Sequence, residues 1–145
     1  MDLDANKALV RRYLALWDTE DHQSFAREIL AENFVDHTHP NQDPGFEAVA
    51  QQVNAFRKAF SNVSISIEHM LAEEDSVAFH FILRCTHVGG FAGRAPTGKE
   101  VVLHGADAMS IAKGKIAELW SVQDTLHRVL QLGMKIQQQV SRSHP

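Results

Sequence analysis

The stretch from Lys99 to Gln123 reads KEVVLHGADAMSIAKGKIAELWSVQ. Val101, Leu103, Met109 and Ile111 fall on alternate positions, and Lys113-Gly114-Lys115 interrupts the pattern. Period-two alternation predicts strands and the Gly-centred break predicts a tight turn. The stretch is therefore a hairpin with arms over about Lys99–Ala112 and Ile116–Gln123. Upstream, Val63, Ile65, Ile67, His69 and Leu71 alternate with polar neighbours, Glu73-Glu74-Asp75 makes a turn, and Ser76 to Val88 forms a long strand. A Gly-rich loop, Gly89 to Gly98, joins that strand to the hairpin. The result is a meander of four antiparallel strands.

The first half has the helical period instead. Asp4 is placed to cap a segment running to about Asp18, with Leu9, Tyr13, Leu16 and Trp17 on one face. A second, short helix is expected over Asp21–Ala31, and the turn formers from Asp36 to Gly45 end it. In a third helix Phe46, Val49, Val53, Phe56 and Phe60 make an apolar stripe. Thr125 to Leu132 reads as a last short helix stopped by Gly133. Helices first and strands after define an α+β fold, a cone of three N-terminal helices on a curved antiparallel sheet of four or more strands. Such a cone can hold a pocket between its layers. Residues 1–133 are expected to be one domain and 134–145 a polar tail.

Composition narrows the function. The chain has 145 residues, 44% hydrophobic and 22% charged, as in a globular domain with a sizeable core. The net charge is −4 and the basic residues are scattered, which argues against nucleic acid and against a polybasic membrane anchor. Acidic Met1-Asp2-Leu3-Asp4 is unlike a secretory signal, so a cytoplasmic protein is expected. The single cysteine, Cys85, lies in an apolar strand and reads as a buried, inert thiol. No GxGxxG, GxxxxGK[ST], CxxC or HExxH motif is present, so no cofactor is expected.

Nine histidines supply candidates. His37 and His39, with Asp36 and Asp43 nearby, have the spacing of two metal ligands, but a catalytic zinc needs a third. The expectation is no metal, with His37 lining the pocket. Asp107 shares the parity of Val101, Leu103, Met109 and Ile111, whereas His104 shares that of Ala106, Ala108 and Ser110. Only one of the two faces the pocket unless a bulge intervenes. His80 and Arg84 share one face of their strand and read as the polar side of the sheet. Asp124, directly before the last helix, is placed to cap it.

Several pieces recur together in a known order. They are Asn6 to Arg12, Phe34-Val35-Asp36-His37, Thr86 to Phe91, Pro96-Thr97-Gly98-Lys99, Gly114 to Trp120, Asp124, and Gln131-Leu132-Gly133. On these the chain resembles the SnoaL-like polyketide cyclases of the nuclear-transport-factor-2-like superfamily, over about Asn6 to Gly133. The resemblance implies the α+β cone with an apolar pocket, and a cofactor-free, metal-free intramolecular aldol cyclisation of a polyketide ester. It implies that Asp124 is the catalytic acid/base. Family cyclases place a His on the preceding strand and a Gln just before that Asp; Ser110 and Ser121 stand there in this chain. A homo-oligomer, dimer or tetramer, through the exposed sheet is implied as well.

The expectation is an acid/base cyclase or isomerase acting on a small, apolar, carbonyl-containing substrate. Asp124 is its catalytic residue, and His37, His104, Asp107, Ser110, Trp120 and Ser121 bind the substrate. One alternative is an epoxide hydrolase-like enzyme with Asp107 and Asp124 as an acid and base pair. Another is a non-catalytic binding or oligomerisation module, in which Trp120, Phe79 and Phe81 would fill the cone. A Ser/His/Asp hydrolase lacks its nucleophile elbow.

Overall fold

The computed structural model describes residues 2–91 and 93–135. The chain forms α1 (Leu3–Ala15), a 3₁₀ turn (Leu16–Asp18), α2 (His22–Ile29), β1 (Leu30–Asp36), α3 (Phe46–Ala59), β2 (Phe60–Glu73), β3 (Ser76–His87), β4 (Glu100–Ala112), β5 (Lys115–Gln123) and α4 (Thr125–Gln131). The expected α+β architecture is present, with the helices packed on one face of a five-stranded sheet in the order β1-β5-β4-β3-β2.

Three expectations need correction. The second helix does not reach Ala31; it stops at Ile29, and Leu30 starts β1, which pairs parallel to β5. The sheet is therefore mixed, not antiparallel throughout. β1 escapes a pattern reading because only Leu30, Phe34 and Asp36 of its seven residues are buried, and Leu30 also fits the helical stripe of α2. At the N-terminus, Asp2 rather than Asp4 caps α1 by accepting from the Ala5 amide at 3.0 Å.

The meander forms as its alternation dictates. In the β4–β5 turn, Lys113 (φ 53°) and Gly114 (φ 75°) both take left-handed backbone, the geometry that matches strand twist in a two-residue connection. Register shifts between Ile67 and His69 and between Ser110 and Ile111 are bulges that bend the sheet. The inner face carries Val77, Phe79, Phe81, Leu83 and Cys85 from β3 and Val101, Leu103, Met109 and Ile111 from β4. Against it lie Val10 and Tyr13 of α1 and Val49 and Val53 of α3, all buried. Among the described residues no helix is long and apolar enough to cross a membrane.

At the centre of the inner face, Gly105 lies under the ring of Phe81. A Cβ added there would come 2.4 Å from that ring. Glycine here is a packing requirement, since the Phe81 ring is itself held among core residues. Gly105→Ala is expected to cost about 1–3 kcal/mol by overpacking. Urea denaturation measures it, and an unchanged midpoint would mean that Phe81 moves aside freely.

Candidate active site

Between the helices and the inner face of the sheet is a cavity of about 380 Å³. Its walls are mostly apolar and aromatic: Trp17 from the turn after α1, Phe56 of α3, Phe60 of β2, Phe81 of β3, Leu103 of β4 and Phe91 of the loop before β4. Polar groups enter at a few points only, which is how a small-molecule pocket orients its occupant. They are Tyr13, Asp36, His39, Gln52, Asp107, Ser121, Gln123 and Arg128.

Asp107 stands on the apolar parity of β4, so it points inward and is 7% exposed. Its Oδ1 is buried with no hydrogen-bond partner. Burial pushes this carboxyl up to about 6 from its ordinary 3.8; Ser121, directly across on β5, offsets part of that, and the nearby Asp36 charge adds to it. Tyr13 of α1, also buried, lines the same cavity. Burial first, then the Asp107 and Asp36 charges, raise the phenol far beyond its usual range, so it keeps its proton.

Asp36, at the end of β1, is also buried, but its charge is met. Oδ1 accepts from the Thr38 amide at 2.9 Å and Oδ2 lies 2.8 Å from His39 Nδ1. The Thr38 hydroxyl donates to the Ser121 carbonyl at 3.2 Å and accepts from the Ser121 amide at 2.8 Å. This segment is thereby fixed to β5, and His39 is brought to the cavity.

The residues expected from sequence fall into three places. Asp107 and Ser121 line the cavity as neighbours across β4 and β5. His37, Ser110 and Trp120 lie together outside it, on the outer face. The His37 ring stacks on Trp120 at 4.5 Å, its Nε2 is 3.3 Å from Glu118 Oε1, and Ser110 donates to Glu118 Oε2 at 2.6 Å. Those contacts, Ser110 foremost, hold the Glu118 carboxyl below its ordinary range. His104 also points outward, stacked on His80 at 5.9 Å. Asp124 is exposed at the N-terminus of α4, where Oδ1 accepts from the His127 amide at 3.0 Å. It caps the helix and does not line the cavity.

Sequence reasoning missed Tyr13, Asp36, His39 and Arg128 as cavity residues. The Asp36-to-His39 segment carried a signal, a cluster of acid and imidazole after a strand, but it pointed to His37 or to a metal. Tyr13 was hidden in the apolar stripe of α1, and nothing in the sequence marked Arg128. Among the described residues no three His, Cys, Asp or Glu side chains gather as metal ligands would.

The model of the SnoaL-like polyketide cyclase family matches residues 7–132. The chain belongs to that family. The SnoaL-like fold is shared with TsrD from Streptomyces laurentii, 20% identical, with a TM-score of 0.83 over 92% of this chain and 98% of that one. AclR from Streptomyces galilaeus, a hydroxylase candidate, is 26% identical, with a TM-score of 0.79 over 91% and 83%. A candidate polyketide cyclase from Bacillus cereus is 28% identical, with a TM-score of 0.75 over 89% and 80%. No curated protein matches the sequence.

The raised Asp107 carboxyl has a consequence for stability. Below about pH 4 the carboxyl is protonated in the folded and unfolded chain alike and costs nothing. As pH rises past 3.8 the unfolded state ionises first, and above about 6 the full cost is present. Asp107→Asn is therefore expected to raise stability on the order of 2–3 kcal/mol at about pH 8 and to change little at about pH 4. Thermal melts of both proteins across that range measure it; a gain independent of pH would contradict the assignment.

Proposed function

We propose that this SnoaL-like protein is a cofactor-independent cyclase or isomerase whose acid/base group is Asp107. The observation that carries the proposal is a desolvated carboxyl, with one oxygen unpartnered, inside an apolar cavity. A carboxyl raised to about 6 can hold or release a proton near neutrality, as a group that removes a proton beside a carbonyl and returns it must do. Ionised Asp107 takes the C–H proton. The resulting enolate carries its charge on oxygen, and the Tyr13 hydroxyl, which keeps its proton, is the donor for it. The enolate carbon then attacks a second carbonyl of the same molecule, and protonated Asp107 can deliver its proton to the new alkoxide. The aromatic walls fold the substrate and keep bulk water away.

The role implied for Asp124 passes to Asp107 in this proposal, because Asp124 caps α4 and is not among the cavity's lining residues. That placement also removes the Asp107–Asp124 pair on which the epoxide hydrolase-like alternative rested. The filled-cone alternative loses support as well, since Trp120 is 45% exposed on the outer face and the cavity remains. The expected homo-oligomer is retained as part of the proposal. Leu71, Ala78, Ala108 and Trp120 are successive partners across β2, β3, β4 and β5, and the four form an exposed or part-exposed apolar row.

Deuterium exchange at the carbon beside the carbonyl, followed by NMR for a panel of aryl ketones and keto esters, tests the chemistry without knowledge of the natural substrate. Exchange is expected to rise with pH through about 6 as the Asp107 carboxylate forms. Asp107→Asn is expected to lower it by about 100-fold or more. Asp124→Asn is expected to leave both exchange and stability nearly unchanged, because asparagine caps a helix about as well as aspartate. A folded Asp107→Asn protein that still exchanges, or a folded Asp124→Asn protein that does not, would overturn the assignment.

A further inference from the structure

Among the described residues Arg128 is the only arginine or lysine that lines the cavity, and the acid/base chemistry does not use it. It lies on α4 and is partly buried, with its Nε shut off from water and without a hydrogen-bond partner. Its guanidinium sits over the Phe91 ring at 5.0 Å, which holds it against the cavity wall. Among the described residues no carboxylate lies within ion-pairing distance of it. The Cys85 thiol interacts with it, but burial pushes that thiol up to about 11, so Cys85 supplies no counter-charge. Burial also lowers the guanidinium from its ordinary value, a sign that its charge is poorly solvated.

Two more cations stand at the same end of the molecule. A Cβ on Gly133 would lie 3.3 Å from Arg94 Nη2 and 3.6 Å from Lys99 Nζ. Arg128 stands in the last turn of α4 and lines the cavity, whereas Arg94 and Lys99 do not. A partly desolvated guanidinium on the wall of an apolar cavity, with no carboxylate beside it among the described residues, is the side of a charge-assisted pair that the protein supplies.

We infer that Arg128 is an anion-binding residue of this cavity, and that the substrate carries a carboxylate on an apolar, ring-bearing body. This rests on the cavity being a substrate site, as proposed above, and adds the substrate class. The carboxylate meets Arg128 in the planar, two-pronged geometry that a guanidinium favours. The rings lie between Phe56, Phe60, Phe81 and Phe91, and the reacting carbonyl lies toward Asp107. Gln131 fixes α4 at Val102, five residues along β4 from Asp107, or about 17 Å of strand. Arg128 and Asp107 enter the cavity from different elements, α4 and β4, so a ligand can set its carboxylate against the one and its carbonyl against the other.

Calorimetric titration with naphthoate and with its neutral methyl ester, at about pH 8 where Asp107 and the probe acid are both ionised, tests this. The wild-type protein is expected to bind naphthoate about ten-fold or more tightly than the ester. Arg128→Gln is expected to abolish that preference while leaving ester binding in place, and Arg128→Lys to restore part of it. Equal binding of acid and ester by the wild type, or equal loss of both in a folded Arg128→Gln protein, overturns the anion role and leaves the Asp107 reading standing. Failure of both probes to bind overturns the anion role and the cavity as a substrate site. The Asp107 reading fails separately, if its carboxyl titrates at an ordinary value by NMR.

Discussion

Putting a carboxyl on the apolar face of a central strand sets the terms for much of this molecule. Asp107 occupies a position that the alternation of β4 reserves for Leu, Met or Val, and the helices pack over that face. Closing the layers with more hydrocarbon would desolvate the acid further and raise the cost of its ionised form. The cavity and the carboxyl thus depend on one another: the space tolerates the charge, and the charge opposes the filling of the space. Asp36 stands across the same space, yet the two acids are treated differently. Asp36 accepts two hydrogen bonds from its own turn, whereas one oxygen of Asp107 accepts none. Of these two neighbouring acids, Asp107 is the one whose ionised form burial disfavours.

The two ends of the cavity are held by side chains that stand in for missing strands. β5 pairs with β4 only as far as Gly105, and the Asp124 amide adds one further bond to the His104 carbonyl at 3.0 Å. Beyond that, the backbone of Val102 has no strand on that side. Gln131 takes its place: its Oε1 accepts from the Val102 amide at 2.8 Å and its Nε2 donates to the Val102 carbonyl at 2.7 Å. One amide side chain thereby satisfies the open edge and draws α4, with Arg128, onto the cavity. At the other end the Thr38 hydroxyl makes the same double contact with the backbone of Ser121. That contact extends the parallel β1–β5 pairing by one step and delivers His39. Buried backbone groups need partners, and here the elements that provide them also carry the polar groups of the site.

Much of the fold was legible because its signals are periodic. The apolar stripes of α1 and α3, the alternation of β3 and β4 and the Lys113-Gly114-Lys115 turn each declare themselves within about a dozen residues. β1 does not, since Leu30-Ala31-Glu32-Asn33 offers no alternation and its place comes from a parallel partner far along the chain. The site was legible only in part. Period two separated Asp107 from His104 and Ser110 correctly, but which of the two faces turns inward depends on where the helices lie, a tertiary fact. The slip over His37 and His39 has a similar origin. The chain leaves β1 and turns at Asp36, so His39 comes back onto Asp36 and the cavity while His37 falls across the sheet onto Trp120.

Asp124 and Asp107 show why a matching position is a weaker guide to chemistry than an environment. At Asp124 the backbone leaves β5 with φ −78° and ψ 69°, the extended-to-helical transition that sets a side chain over the first turn of α4. Its oxygen meets an amide hydrogen, and solvent reaches the rest. An acid placed in this way has no enclosed substrate space around it. At Asp107 the same functional group loses its water and, on one oxygen, gains no donor in return, so protonated and ionised forms come close in free energy near neutrality. The two residues have identical side chains, one exposed at a helix start and one buried on the inner face of β4. What separates them is whether the next polar neighbour is a helix amide or the apolar inner face of a sheet.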